Sequence, residues 1–113
     1  MPRPDVTRFA DPSFLILASL STGPKHGYAM MEDIQAFSQI LLEPGTLYGA
    51  INRLEERGFI RPLEYSERRR PYELTAAGEA LFRERVTLFE KMSSEGRRRM
   101  NLRLSRAVGG QFP

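Results

Sequence analysis

The sequence predicts a mainly α-helical domain that closes with a small β-hairpin and continues into one long helix. Three observations carry this: apolar runs of helical spacing before residue 58, two short alternating runs around an arginine cluster at 59–75, and an unbroken helical pattern from Thr75 to about residue 104. With 113 residues, 41% hydrophobic and 27% charged, the chain fits one globular domain. No stretch approaches the ~20 apolar residues of a membrane span, and MPRPDVTRFADPSF lacks a signal-peptide core, so no membrane partner is expected and the cytoplasm is the expected compartment. Zero cysteines exclude disulfides and thiolate metal sites.

Asp11-Pro12-Ser13 offers a cap and a first-turn proline to the first helix, FLILASLS, whose almost wholly apolar run calls for burial and which Gly23-Pro24 ends. HGYAMMEDIQAF reads as an amphipathic second helix, with Tyr28, Met31, Ile34 and Phe37 at three-residue spacings. SQILLEP then connects over about seven residues, longer than the turn of a tight helix-turn-helix. In EPGTLYGAINRLEERGFI, Pro44 suits the first helical position and Gly58 the stop. Projected at ~100° per residue, Leu47, Ala50, Ile51 and Leu54 fall on one core stripe. The opposite face carries Gly45, Gly49, Asn52 and Glu56, flanked by Thr46, Tyr48 and Arg53. A mid-helix glycine costs roughly 1 kcal/mol relative to alanine. Gly49 therefore either avoids a clash with a neighbouring helix or leaves a track along which a large body approaches closely, and spacing alone leaves both open.

FIRPLEY and PYELT each contain a proline, which places them as edge strands of a two-stranded hairpin. At its tip Arg68, Arg69 and Arg70 fan into solvent and suit phosphates or a narrow minor groove. After Thr75, a good N-cap, Leu81, Leu88 and Met92 line one track of the long helix and Phe82, Val86 and Phe89 another. So wide an apolar face calls for a partner helix, hence a homodimer. Residues 1–60 hold five Lys/Arg against seven Asp/Glu, and residues 61–113 hold twelve against seven, so the net charge of +3 lies in the second half. Clustered arginines there suit nucleic acid.

Helix, helix, exposed-face helix and basic-tipped hairpin is the order of a winged helix-turn-helix. It divides the chain into a winged helix-turn-helix domain at 1–75 (recognition helix about 44–57, wing about 59–75), a dimerisation helix at 76–104 and a flexible tail at 105–113. GPKHGYAMMEDI, PGTLYGAINRLEERGFI and ERRRPYELTAAGEALF resemble the PadR family of bacterial transcriptional regulators, over roughly residues 13 to 90, and the length resembles its short subfamily, whose members dimerise through the last helix. The resemblance implies a sequence-specific DNA-binding regulator acting as a homodimer on an inverted-repeat operator of double-stranded DNA, with the two reading helices ~34 Å apart. A protein this small blocks a promoter by occupying it, which favours a repressor. By position, Thr46, Tyr48 and Asn52 become the DNA-facing side chains, Arg53 stands at the flank, and Gly45 and Gly49 admit the helix to the groove. Lys25, His26 and Tyr28 become phosphate contacts, although the apolar spacing gives Tyr28 a core role as its alternative. No cofactor is implied, and the resemblance leaves room for a small-molecule effector of unknown identity. His26 is the only histidine, so neither a metal site nor a catalytic constellation assembles and no enzyme is expected. The competing reading is a winged-helix protein-interaction module, which acidic Glu55, Glu56 and Glu67 support. Glu43 before the Pro-Gly, and Glu67 and Pro71 in a wing tip without glycine, depart from the family pattern.

Overall fold

A computed structural model describes residues 11–109. It contains α1 (Pro12–Leu20), β1 (Lys25–His26), α2 (Gly27–Ser38), α3 (Pro44–Glu56), β2 (Ile60–Pro62), β3 (Pro71–Leu74) and α4 (Ala76–Gly109). The described residues fall into two compact units, one ending at Phe82 and the other beginning at Arg83.

The core of the first unit is built on α1. Asp11 caps the helix, its carboxylate accepting the Ser13 N–H at 3.0 Å, and Leu15, Ile16, Leu17 and Leu20 are buried among side chains of α2 and α3. The core stripe of α3 is the expected one: Leu47, Ala50 and Ile51 are fully buried and Leu54 nearly so. α3 ends as its glycine predicts. Gly58 takes φ +79, the Phe59 N–H bonds back to the Leu54 carbonyl at 2.9 Å and the Gly58 N–H to that of Glu55 at 3.0 Å, which satisfies the last-turn acceptors. At the other end Glu43 occupies the cap position without a side-chain cap hydrogen bond.

The phase of α2 differs from its sequence reading. Gly27, Met30 and Ile34 are buried, with Met31 half-buried at the edge, while Tyr28 and Phe37 are 57% and 49% exposed. The core role for Tyr28 is thereby corrected. Two tracks offset by one residue share Ile34, and the entry of the chain into α2 decides between them. That entry is set by β1, which makes the sheet three-stranded rather than a two-stranded hairpin. Its order is β1-β3-β2, all antiparallel, with Lys25 opposite Tyr72 and His26 opposite Pro71. β3 is therefore central, and its proline is tolerated because Pro71 is the first residue of the strand. Arg61 on β2 pairs with Glu73 across the ladder.

Thr75 joins the wing to α4. Its hydroxyl donates to the Gly58 carbonyl at 2.6 Å and accepts the Gly78 N–H at 3.1 Å. Gly78 is required here by close approach, since a Cβ would stand 1.9 Å from the Phe59 carbonyl oxygen. This clamp holds the first turns of α4 on the domain, and Leu81 and Phe82, expected in a dimer interface, pack against the domain's own core, Phe82 with its ring 5.5 Å from that of Phe14. In the second unit the helix continues to Gly109, so residues 105–109 of the expected tail are helical; its last four residues lie outside the described ones. Glu95 accepts hydrogen bonds from both Arg98 and Arg99, which hold its carboxyl below the usual range, the Arg98 contact contributing most.

Candidate nucleic-acid interface

The outer face of α3 is bare where the sequence is glycine. Gly45, Thr46, Tyr48, Asn52 and Arg53 are exposed and Gly49 is half-exposed. A Cβ added at Gly45 would meet nothing within 4 Å, and one at Gly49 would meet only Arg53 Nη1 at 3.5 Å, an ordinary contact. The packing of the described residues therefore needs neither glycine, which removes the clash explanation for Gly49. Beside this face the start of α2, Tyr48 of α3 and the wing enclose an open cleft of about 470 Å³, lined by His26, Gly27, Tyr28, Tyr48, Tyr65, Arg68, Arg69, Arg70 and Tyr72. All four tyrosines of the chain line it.

His26 organises the cleft. Its Nδ1 accepts the Ala29 N–H at 3.2 Å and so caps α2, while Nε2 stands 3.1 Å from Arg69 Nη1. With Nδ1 engaged in the cap, the Nε2 edge of the ring and the Arg69 guanidinium stand side by side in the cleft. An anionic oxygen placed there would meet the Arg69 guanidinium beside the first turn of α2. That is the chemistry of a phosphate contact at a helix N-terminus.

The tip arginines are not equivalent. Ser66 and Arg69 exchange backbone hydrogen bonds at 2.8 and 2.9 Å around Glu67 and Arg68, whose φ values of 52° and 66° form a two-residue turn of the I′ kind. The Arg70 guanidinium lies 4.1 Å over the Tyr65 ring, and Arg69 lies against His26, which leaves Arg68 without a partner among the described residues. Burial, and then the carboxylate of Glu55, push the Tyr72 phenol up, keeping it a neutral donor.

Tyr28, Tyr48, His26 and the three arginines are thus brought together, and Gly45, Thr46, Gly49, Asn52 and Arg53 share the neighbouring face of α3. Lys25 is not delivered as a free cation. Its ammonium donates to the Ser19 carbonyl at 2.5 Å and the Thr22 hydroxyl at 2.7 Å and lies 3.9 Å from Asp33, neutralising the C-terminal end of α1. Sequence reasoning missed Gly27, Tyr65 and Tyr72. For the tyrosines the available signal was their alternation along the wing strands; for Gly27, a glycine at the first position of a helix beside an aromatic partner on α3 gave none. Among the described residues no three His, Asp or Glu side chains assemble a metal site, and no helix is long and apolar enough to cross a membrane.

Comparison with known proteins adds an independent line. The profile described as the Transcriptional regulator PadR-like family matches residues 16–84. An uncharacterized 37.1 kDa protein in a transposon of Streptomyces fradiae is 42% identical over 86 residues, 76% of this chain; the chain spans only 25% of that relative's length. Among solved structures, a transcriptional regulator from Clostridium thermocellum superposes with a TM-score of 0.71 at 26% identity, covering 87% of this chain and 97% of its own. A PadR-family transcriptional regulator from Eggerthella lenta gives 0.69 at 25% identity, covering 82% and 84%.

Proposed function

This chain belongs to the PadR-like family of transcriptional regulators, and from that premise we propose that it is a sequence-specific DNA-binding repressor that acts as a homodimer on an inverted-repeat operator in the cytoplasm. One observation carries the reading: the two glycines on the outer face of α3 are not required by the packing around them, Gly49 meeting only the flexible end of Arg53, and they lie next to a cleft lined by His26, Tyr48 and the three wing arginines. A helix with glycine at both 45 and 49 on its outer face can enter a major groove closely, with Asn52 able to offer a paired donor and acceptor to an adenine edge. The His26, Tyr28, Tyr48 and Arg69 cluster then takes the phosphate backbone, and Arg68 reaches on from the tip. Dimerisation falls to the helix beyond Phe82, where Leu88, Phe89 and Met92 are 40–60% exposed.

Fluorescence anisotropy on DNA from upstream of its own gene, against scrambled DNA of equal length and at two salt concentrations, tests the proposal. Sequence-dependent binding that survives moderate salt is the expected result. Equal binding to both duplexes that vanishes as salt rises would reduce the interaction to charge and turn attention to a protein partner.

A further inference from the structure

We infer that Gly27 is a positioning residue for recognition: by having no side chain in the first turn of α2, it lets the Tyr48 ring of α3 settle on the α2 backbone and so fixes where that phenol stands on the interface. The inference rests on the reading that Tyr48 faces DNA. A Cβ at Gly27 would lie 2.5 Å from Tyr48 Oη and 2.8 and 2.9 Å from its Cζ and Cε1, nearer than such atoms approach. Backbone conformation does not ask for glycine here. Gly27 is not among the positive-φ residues and lies inside α2, where alanine is the better helix former. What the site excludes is the volume of one methyl group.

The contact is also selective in what it would disturb. The atoms that a methyl would strike belong to the far end of a side chain that is 46% exposed, not to backbone or core. Tyr48 can swing outward and the fold can stay. The cost of a larger residue at Gly27 therefore falls on the place of the phenol rather than on stability. A ring held from beneath keeps fewer rotamers to lose on binding, which is how an exposed tyrosine becomes a preorganised contact.

The test combines Gly27→Ala and Tyr48→Ala with labelling by 3-fluorotyrosine. In ¹⁹F spectra of the free protein, the Tyr48 resonance, identified by its loss in Y48F, is expected to move in G27A. On a duplex selected from random DNA by the wild-type protein, G27A is expected to weaken binding roughly tenfold, the scale of coupling between residues in contact. In the Y48A background the same change should have no further effect. An unmoved resonance, or an equal loss in both backgrounds, would overturn the inference. A Y48A protein that binds the duplex like wild type would instead overturn the DNA-facing reading of Tyr48, a failure the spectra keep apart from the first. Should G27A melt early, the double variant decides: recovery of its melting temperature assigns the clash to Tyr48, and no recovery rejects it.

Discussion

Single residues at this surface divide into those the fold needs and those it merely tolerates. Glu67 and Arg68 are tolerated: both hold left-handed backbone, which costs an L-residue roughly 1–2 kcal/mol, at positions where such a turn ordinarily takes Asn-Gly. Glu67→Gly is expected to stabilise the protein by up to about 1 kcal/mol in a denaturant titration. It should also tighten DNA binding, because it removes a carboxylate beside Arg68; a less stable variant would show that Glu67 makes a contact worth more than its strain. Lys25 is needed. Lys25→Met strips charge-assisted hydrogen bonds from the end of α1 and is expected to cost about 1.5–3 kcal/mol of stability. The dependence of log affinity on log salt should not change, whereas a slope shallower by about one would return Lys25 to the phosphate backbone.

At the scale of elements, α3 sets stability against function. Its Gly49 has room for a methyl group, so Gly49→Ala is expected to raise stability by about 0.5–1 kcal/mol through helix propensity alone. Gly49→Leu should keep the fold and abolish specific DNA binding by anisotropy, because its side chain would stand in the groove. Unimpaired binding by the leucine variant would refute the groove-entry account. α3 was also the most legible element, since its core stripe, its proline start and its glycine stop are all local signals that agree. α2 was less so: choosing between the Gly27–Met30–Ile34 track and one containing Tyr28 requires knowing that Lys25 and His26 pair with Tyr72 and Pro71, partners 45 or more residues away. The same long-range pairing assembles the cleft. Glycines at 45 and 49 could be suspected from sequence, but only the folded structure shows that Gly45 has open space above it and Gly49 just the end of Arg53, and only the sheet register sets Tyr72 beside the start of α2.

For the whole molecule, the charge and apolar patterns of the second unit decide where two copies can meet in the proposed dimer. The track that begins Leu88, Met92 continues at helical spacing into Arg99, Arg103 and Arg106, so a partner helix crossing it beyond residue 95 would set arginine against arginine. Apolar contact on that track is therefore confined to the part before Glu95, whose carboxylate is already shared between Arg98 and Arg99. Leu88 and Met92, 48% and 60% exposed, are the apolar side chains that this part of the track leaves open to cover. Replacing both with glutamate is expected to leave the melting of the first unit unchanged and to turn a dimer into a monomer in sedimentation equilibrium. If each reading helix contributes one half-site, as proposed, loss of the dimer removes the gain in effective concentration and should weaken binding to an inverted repeat by roughly 100-fold or more, with little change on a single half-site. A double variant that still sediments as a dimer would move the interface to the Val86, Met100 and Leu104 face of the same helix, and one that is monomeric yet binds the inverted repeat undiminished would refute the dimeric operator.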